Sequence, residues 1–300
     1  MKIDPRCAHC LLMRVHYEAE LSTDDPETIG KAVIAGLDAL HRTFKPGELA
    51  ARISTAVHRQ AYKALDDPDP YLEIKLLSRG IAIDLMPLAR SIVGDEISID
   101  AFHRAVVVAT IGNSLDFGVE GFDVKEEIFE EEFRRLYSQG LDVDDTEKMM
   151  PLLNDVVYIA DNAGEILLDT LVINQIKGLG GKVTLVVRGA PMLNDATMED
   201  IEEHDIEADR VLTTGSNAIG VCLEEAPPEL VEAFGRASLI ISKGMANYET
   251  MSEYGYYPIA YMLRTKCRAV ADDLGLDTGL LVARALKHKR EREQPRHWRN

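Results

Sequence analysis

The apolar pattern changes period within one short stretch, from Asp155 to Asp169 (Asp-Val-Val-Tyr-Ile-Ala-Asp-Asn-Ala-Gly-Glu-Ile-Leu-Leu-Asp). Val156 to Ala160 is a continuous apolar run with β-branched residues, which suits a strand covered on both faces. Asp161, Asn162, Ala163 and Gly164 break that run. From Glu165 the spacing becomes helical, with Ile166, Leu167, Thr170 and Ile173 on one stripe. The pair Asp161 and Asn162 is therefore expected at the carboxyl end of a strand, where a helix begins. Open α/β sheets bind ligands at such places, because strand ends meet free helix N-termini there. A carboxylate beside a carboxamide offers oxygen ligands to a hard divalent cation. The alternative is that one of the two merely caps the helix.

The same alternation continues toward the C-terminus. Lys182–Val187, Arg210–Thr214, Ser238–Ser242 and Ile259–Leu263 read as further strands with helical spacing between them. Thr197 and Asp200 have the spacing of a capping box, so a helix starts there. This predicts an α/β fold: a doubly wound, mainly parallel sheet over residues 151–287. Such a sheet gathers its strand ends on one edge, although they are scattered in sequence. The ends here are Asp161-Asn162, Arg188 to Asp195, Ser216-Asn217 and Lys243 to Asn247. Asp161, Asn162 and Asp195 form an oxygen set for a cation. Lys243 can meet a phosphate as a point charge, or else pair with Glu249 on the following helix. Arg188, Ser216 and Asn247 are the remaining candidates for substrate contact. No Gly-x-Gly-x-x-Gly and no Walker-type phosphate loop occurs, so the common nucleotide fingerprints are missing.

Residues 1–150 read as a helical region packed on that sheet. Pro26 follows Asp25 as a first-turn proline follows a cap, and Ile29, Val33, Ile34, Leu37 and Leu40 form an apolar stripe. A second stripe runs from Leu49 to Tyr62, and Asp66 to Pro70 is a loop. Two further helices are expected at Tyr71–Ser78 and Ile81–Ile92. His41, His58 and His103 have no partners in sequence and are read as packing or surface residues. An apolar helix from Ala105 to Ile111 ends at Gly112, followed by Asn113, Ser114, Leu115 and Asp116. Taken alone this is a helix C-cap with Gly112 and Asn113 in left-handed conformations. Leu141 to Lys148 reads as a solvated connector, and 288–300 as a basic tail outside the fold.

The net charge of −18 repels polyphosphate backbones, which disfavours nucleic acid as a partner. It also means that a phosphorylated substrate needs a cation to offset the repulsion. No apolar run is long enough to span a bilayer and the N-terminus lacks a signal-peptide core, so no membrane partner and a cytoplasmic location are expected. Four cysteines are too few for a disulfide scaffold. Cys7 and Cys10 form a Cys-x-x-Cys with no second pair, and are read as two half-buried thiols at a helix start.

Three segments together resemble one known family: Asp-Asn-Ala-Gly-Glu at 161–165, Arg-Gly-x-Pro-x-x-Asn-Asp-Ala-Thr at 188–197, and Lys-Gly-x-x-Asn-x-Glu at 243–249. They look like the damage-control phosphatases. The Cys-x-x-Cys and Gly-Asn-Ser-Leu-Asp at 112–116 are similar to the stand-alone archaeal and bacterial branch. The resemblance implies hydrolysis of small phosphomonoesters, such as sugar phosphates or damaged metabolites, with Mg²⁺, Mn²⁺, Co²⁺ or Ni²⁺ as cofactor. It implies that Asp161, Asn162 and Asp195 bind the metal, that Asp161 and Lys243 serve the chemistry with Lys243 on the phosphate, and that Asn113 and Asp116 line the substrate pocket. Two rival readings use the same sheet edge. One is an S-adenosylmethionine-dependent carboxyl methyltransferase, which wants a Gly-rich first loop that Asp-Asn-Ala-Gly-Glu supplies poorly. The other is a sugar-phosphate sensor that binds metal and ligand without turnover.

Overall fold

The sheet begins earlier and ends later than the sequence pattern indicates. The computed structural model describes residues 1–114 and 126–288. Among these, seven strands form one sheet: β1 (Val143–Asp144), β2 (Asp155–Ile159), β3 (Lys182–Val187), β4 (Arg210–Thr213), β5 (Leu239–Lys243), β6 (Ile259–Arg264) and β7 (Leu281–Leu286). Their spatial order is β1-β7-β6-β5-β2-β3-β4. All pairings are parallel except β6 with β7. The expected solvated connector at 141–148 is corrected: Val143 and Asp144 pair with Val282 and Ala283, and Thr146–Met149 forms a short helix, α7. Two residues of edge strand leave too little period for the sequence to show.

Among the described residues six helices precede α7: α1 (Cys7–Ser22), α2 (Pro26–Thr43), α3 (Ala50–Leu65), α4 (Leu72–Val93), α5 (Ile99–Gly112) and α6 (Glu126–Gln139). Asp25 caps α2 as expected, accepting from the Glu27 and Thr28 amides. The two helices expected within 71–92 are a single one. Gly80 costs about 1 kcal/mol relative to Ala in a helix interior, but α4 buries Ile81, Leu85, Ala89 and Val93 along one side and runs on through it. The left-handed cap expected at Gly112 and Asn113 is also corrected, because Asn113 has φ −65°. α1, α2 and α3 share a small core of their own around Val15, Leu40, Ile53 and Val57.

Among the described residues five helices follow: α8 (Glu165–Gly178), α9 (Met198–Glu203), α10 (Pro228–Arg236), α11 (Gly244–Tyr254) and α12 (Arg268–Leu274). Side chains alternate across the strands, so the sheet has two cores. Val156, Tyr158 and Ile241 pack with residues of α4, α5 and α8 on one face. Val157, Ile159 and Ile240 pack with α10, α11 and α12 on the other. The chain leaves β2 toward β3 and β4 on one side, then returns to place β5, β6 and β7 on the opposite side. The end of β2 is thus the point where strand order reverses, and a crevice opens there.

Candidate active site at the end of β2

Two of the loops that line the crevice, those after β2 and β3, hydrogen-bond each other through their backbones. The Ala196 amide donates to the Asp161 carbonyl at 2.7 Å, the Ala163 amide donates to Asn194 at 2.9 Å, and Asn162 and Asp195 form an isolated bridge. Asp161, Asn162 and Asp195 are therefore neighbours, although Asp195 comes from the loop after β3. Thr197 and Asp200 form the expected capping box, which fixes where that loop ends and α9 begins.

The β5–α11 turn closes the crevice from below. Gly244 has φ +72°, and a Cβ there would lie 1.8 Å from Asp161 Oδ2. Only glycine lets the backbone approach that carboxylate. Asp161 Oδ2 accepts from Asn113 Nδ2 at 2.9 Å and from Asn162 Nδ2 at 3.1 Å. Both amides also donate to Glu165, at 2.9 Å from Asn113 and 2.7 Å from Asn162. The Asn113 carboxamide oxygen accepts from the Arg264 amide at 3.1 Å, which ties the end of α5 to the end of β6.

Beneath Glu165 lies Lys243, with no solvent exposure. Its ammonium donates to Glu165 Oε1 at 2.9 Å, Asp169 Oδ1 at 2.6 Å and the Ala109 carbonyl at 3.0 Å. A lysine has three N–H donors, and all three are taken. A phosphate oxygen reaches Nζ in this arrangement only by displacing one of them. The alternative partner, Glu249, does not meet Lys243 among these bonds. Burial alone would depress the lysine pKa, but Asp169 and Glu165 more than reverse that and raise it. Burial pushes the Asp169 carboxyl up to about 6 against the pull of Lys243, with the Glu165 charge adding to the rise. Tyr158 on β2 donates to the same Asp169 oxygen at 2.8 Å.

Arg188 uses three of its five N–H donors within the protein. It donates from Nε to Asp195 Oδ2 at 2.7 Å, from Nη1 to the Gly220 carbonyl, and from Nη2 to Asn247 Oδ1 at 3.4 Å. Asn247 in turn donates to the carbonyls of Ala160 at 2.9 Å and Lys243 at 2.8 Å. Both were expected to touch substrate; the structure uses them to brace Asp195 and the β2 and β5 ends. Ser216 stands at the neighbouring strand end, where its carbonyl accepts from the Gly189 amide at 3.1 Å and its hydroxyl from the Ala218 amide at 3.1 Å. Asp116 lies outside the described residues, as does the tail from 289 on.

Of the sequence candidates, Asp161, Asn162, Asp195, Asn113, Arg188, Lys243 and Asn247 come together. Glu165 and Gly244 stand in the motifs at 161–165 and 243–249 without a role of their own in the sequence reading, and Asp169 has none either. A signal for the two acids was present: Ile166, Leu167, Leu168, Leu171, Val172, Ile173 and Ile176 are all buried, so α8 has apolar residues all round. Acids on such a helix must be inside and paired. The Cys-x-x-Cys lies elsewhere, at the start of α1. Cys7 is half-buried, Cys10 is exposed, and burial raises the Cys7 thiol to about 11.

Among the described residues, the buried acids and bases of the crevice include Asp161, Glu165, Asp169, Asp195, Arg188 and Lys243. The Asp161 and Asp195 carboxyl groups beside the Asn162 carboxamide are the oxygen donors that a hard divalent cation takes. The side-chain hydrogen bonds of Asn162 run from its amide nitrogen, so its carboxamide oxygen is the atom that could meet a cation.

The family model for the damage-control phosphatase ARMT1-like domain matches residues 3–282. A protein of Archaeoglobus fulgidus named damage-control phosphatase is 43% identical over 290 residues, covering 96% of this chain and 100% of that relative. A damage-control phosphatase of Pyrococcus horikoshii is 31% identical over 294 residues, covering 96% of this chain and 100% of the relative. A crystal structure of a DUF89 family protein from Pyrococcus horikoshii superposes with TM-score 0.87 at 30% identity, over 96% of this chain and 100% of that one.

Proposed function

Since this chain belongs to the damage-control phosphatase ARMT1-like family, we propose that it hydrolyses small phosphomonoesters, sugar phosphates or damaged phosphometabolites, in a metal-dependent reaction at the end of β2. The observation that carries the reading is the bridge that brings Asp161 and Asn162 at the end of β2 beside Asp195 from the loop after β3. Asp161, Asn162 and Asp195 would hold Mg²⁺, Mn²⁺, Co²⁺ or Ni²⁺, among which oxygen ligands do not select sharply. Such an ion supplies charge neutralisation for the phosphate and polarisation of the phosphoryl group.

The protein's own contribution is preorganisation. Asn113 and Asn162 hold Asp161 Oδ2 in place, so the carboxylate does not turn as substrate enters. Arg188 holds Asp195 in the same way. Lys243 supplies a fixed positive charge beneath the pocket and keeps Glu165 oriented toward the two asparagine amides. Asn113 and Asp116 are assigned to the substrate side, and Ser216 to its rim.

The test is phosphate release from a phosphomonoester panel with each divalent metal, together with metal binding by calorimetry. Activity lost on chelation and restored by metal is the expected result. Asp161→Asn and Asp195→Asn should each weaken metal binding by about tenfold or more, or ~1.4 kcal/mol. Full turnover in excess chelator would reject the metal assignment, and tight sugar-phosphate binding without phosphate release would favour the sensor.

A further inference from the structure

α3 connects the unit of α1, α2 and α3 to the crevice, and it does so with polar side chains. Its residues Ile53, Val57 and Ala61 are buried in the core that these three helices share. Thr55, Arg59 and Tyr62 lie on another face, at spacings of four and three residues. Each of the three meets a loop that follows a strand of the sheet. The Tyr62 hydroxyl accepts from the Leu193 amide at 3.1 Å, in the loop after β3. The Thr55 hydroxyl accepts from the Ile219 amide at 2.9 Å, in the loop after β4. Arg59 Nε donates to Asn217 Oδ1 of that same loop at 2.8 Å, and its other two nitrogens donate to Glu225 at 3.0 and 2.7 Å. Tyr62 also shares a buried cluster with Met192 and Ile219, one residue from each loop.

Both loops lead to Asp195. Leu193 stands two residues before it, inside a turn that the Asp195 amide closes on the Met192 carbonyl at 3.2 Å. Leu193 has φ +50°, a left-handed conformation that a bulky side chain rarely adopts. Such a residue persists where its surroundings hold it, and the bond to Tyr62 does so from outside the turn. Ile219 stands one residue before Gly220, whose carbonyl accepts from Arg188 Nη1. Arg188 in turn donates from Nε to Asp195 Oδ2 at 2.7 Å. The backbone and the carboxylate of Asp195 are thus both tied back to α3, by separate routes.

We propose that Tyr62 and Thr55 are positioning residues for the divalent-cation site, an inference that rests on Asp195 being a metal ligand as proposed above. Tyr62 sets the backbone that carries Asp195. Thr55 sets the Gly220 carbonyl that aims Arg188 at the Asp195 carboxylate. Neither side chain is a ligand, and each acts through the amide of a loop. Groups that orient a metal ligand from outside change metal affinity by about ten- to a hundredfold when they are removed. The unit of α1, α2 and α3 therefore does more than cover one side of the crevice. Its third helix fixes the spacing of the loops on which cation binding depends.

Calorimetry with Mn²⁺ on the full chain, and amide hydrogen exchange of the metal-free chain, test this together. Tyr62→Phe removes one oxygen atom and should weaken Mn²⁺ binding by about tenfold. Thr55→Val should do the same, whereas Thr55→Ser keeps the hydroxyl and should bind as the wild type does. Val57→Ala opens a cavity in the core of α1, α2 and α3 and should lower the melting temperature. It should leave Mn²⁺ affinity unchanged, because no bond from Val57 reaches either loop. In the metal-free chain, Tyr62→Phe should speed exchange at the Leu193 amide and not at Ile219, and Thr55→Val the reverse. Wild-type Mn²⁺ affinity in both hydroxyl variants overturns the proposal, whatever their exchange. So does an equal loss of affinity in Val57→Ala, which would make the effect one of general stability. A wild-type chain that binds no divalent cation overturns the metal assignment itself. The hold of α3 on the loops is then judged by exchange alone, and unaltered exchange at both amides overturns it.

Discussion

Lys243 shows how little a residue's type says about its work. At the sequence level it is a cation placed to meet phosphate; in the fold its three donors are spent on Glu165, Asp169 and the Ala109 carbonyl. Lys243→Met should therefore act first on stability. Removing one partner of a buried ion cluster leaves the others uncompensated, at about 3–5 kcal/mol. Denaturant unfolding of the metal-free protein measures this. A variant as stable as wild type but with reduced kcat/KM would mean that the lysine meets the phosphate directly. A second residue-scale test concerns Glu249, whose carboxyl is pushed from 4.5 up to about 7 by burial, with the Met1 ammonium opposing and the Asp273 charge adding. The folded state then binds the proton more tightly than the unfolded state. Stability is undiminished below 4.5, falls as pH rises through this window, and is lowest above about 7. Glu249→Gln should flatten that slope, by at most about 3 kcal/mol across the window, less whatever solvent screening relieves. Equal slopes for the two proteins in thermal unfolding from acid to neutral pH would rule this out.

At the scale of elements, the turns between strand and helix carry the site, and they differ in how visible they are. Asp161-Asn162 is legible because an apolar run stops and a helical period starts beside it. The parallel strands from β2 to β6 are legible for the same reason. β1 and β7 are not: one has two residues, and the other pairs antiparallel with β6, outside the alternation. Glu165 and Asp169 escape notice because acids in the first turns of a helix are ordinary, being favoured by its dipole. Their burial is decided by Lys243 and α5, which arrive from other parts of the chain. The β5–α11 turn is equally hard to read, since Gly244 looks like any glycine after a strand. Its role predicts that Gly244→Ala is among the most damaging small changes available. The positive φ is strained for alanine and the methyl would collide with Asp161. Metal affinity should fall by about tenfold or more, equivalent to ~1.4 kcal/mol, and calorimetry on the folded variant reads it. Wild-type affinity would show that the Asp161 position is not set by this turn.

For the whole molecule, the strand order has a consequence in time as well as in space. The two strands that meet at the crevice, β2 and β5, are remote in the chain: Val156 pairs with Leu239, and the Asp155 amide donates to the hydroxyl of Ser238, 83 residues onward. Helices and the neighbouring β2–β3 and β6–β7 pairs close shorter loops. Non-local pairing carries a larger loop-closure cost and forms later. The seam at β2 and β5 should therefore be among the last parts of the sheet to close during refolding. Asp161 follows β2, and Lys243 at the end of β5 holds Glu165 and Asp169, so these four groups depend on that seam. A refolding chain should regain most of its helical circular dichroism before it regains the capacity to bind a divalent cation. Stopped-flow refolding followed by both signals would show the interval, and coincident traces would show that the sheet closes as one unit. The crevice that makes the chemistry possible is, on this view, a clock mark: a chain able to capture metal has already finished assembling.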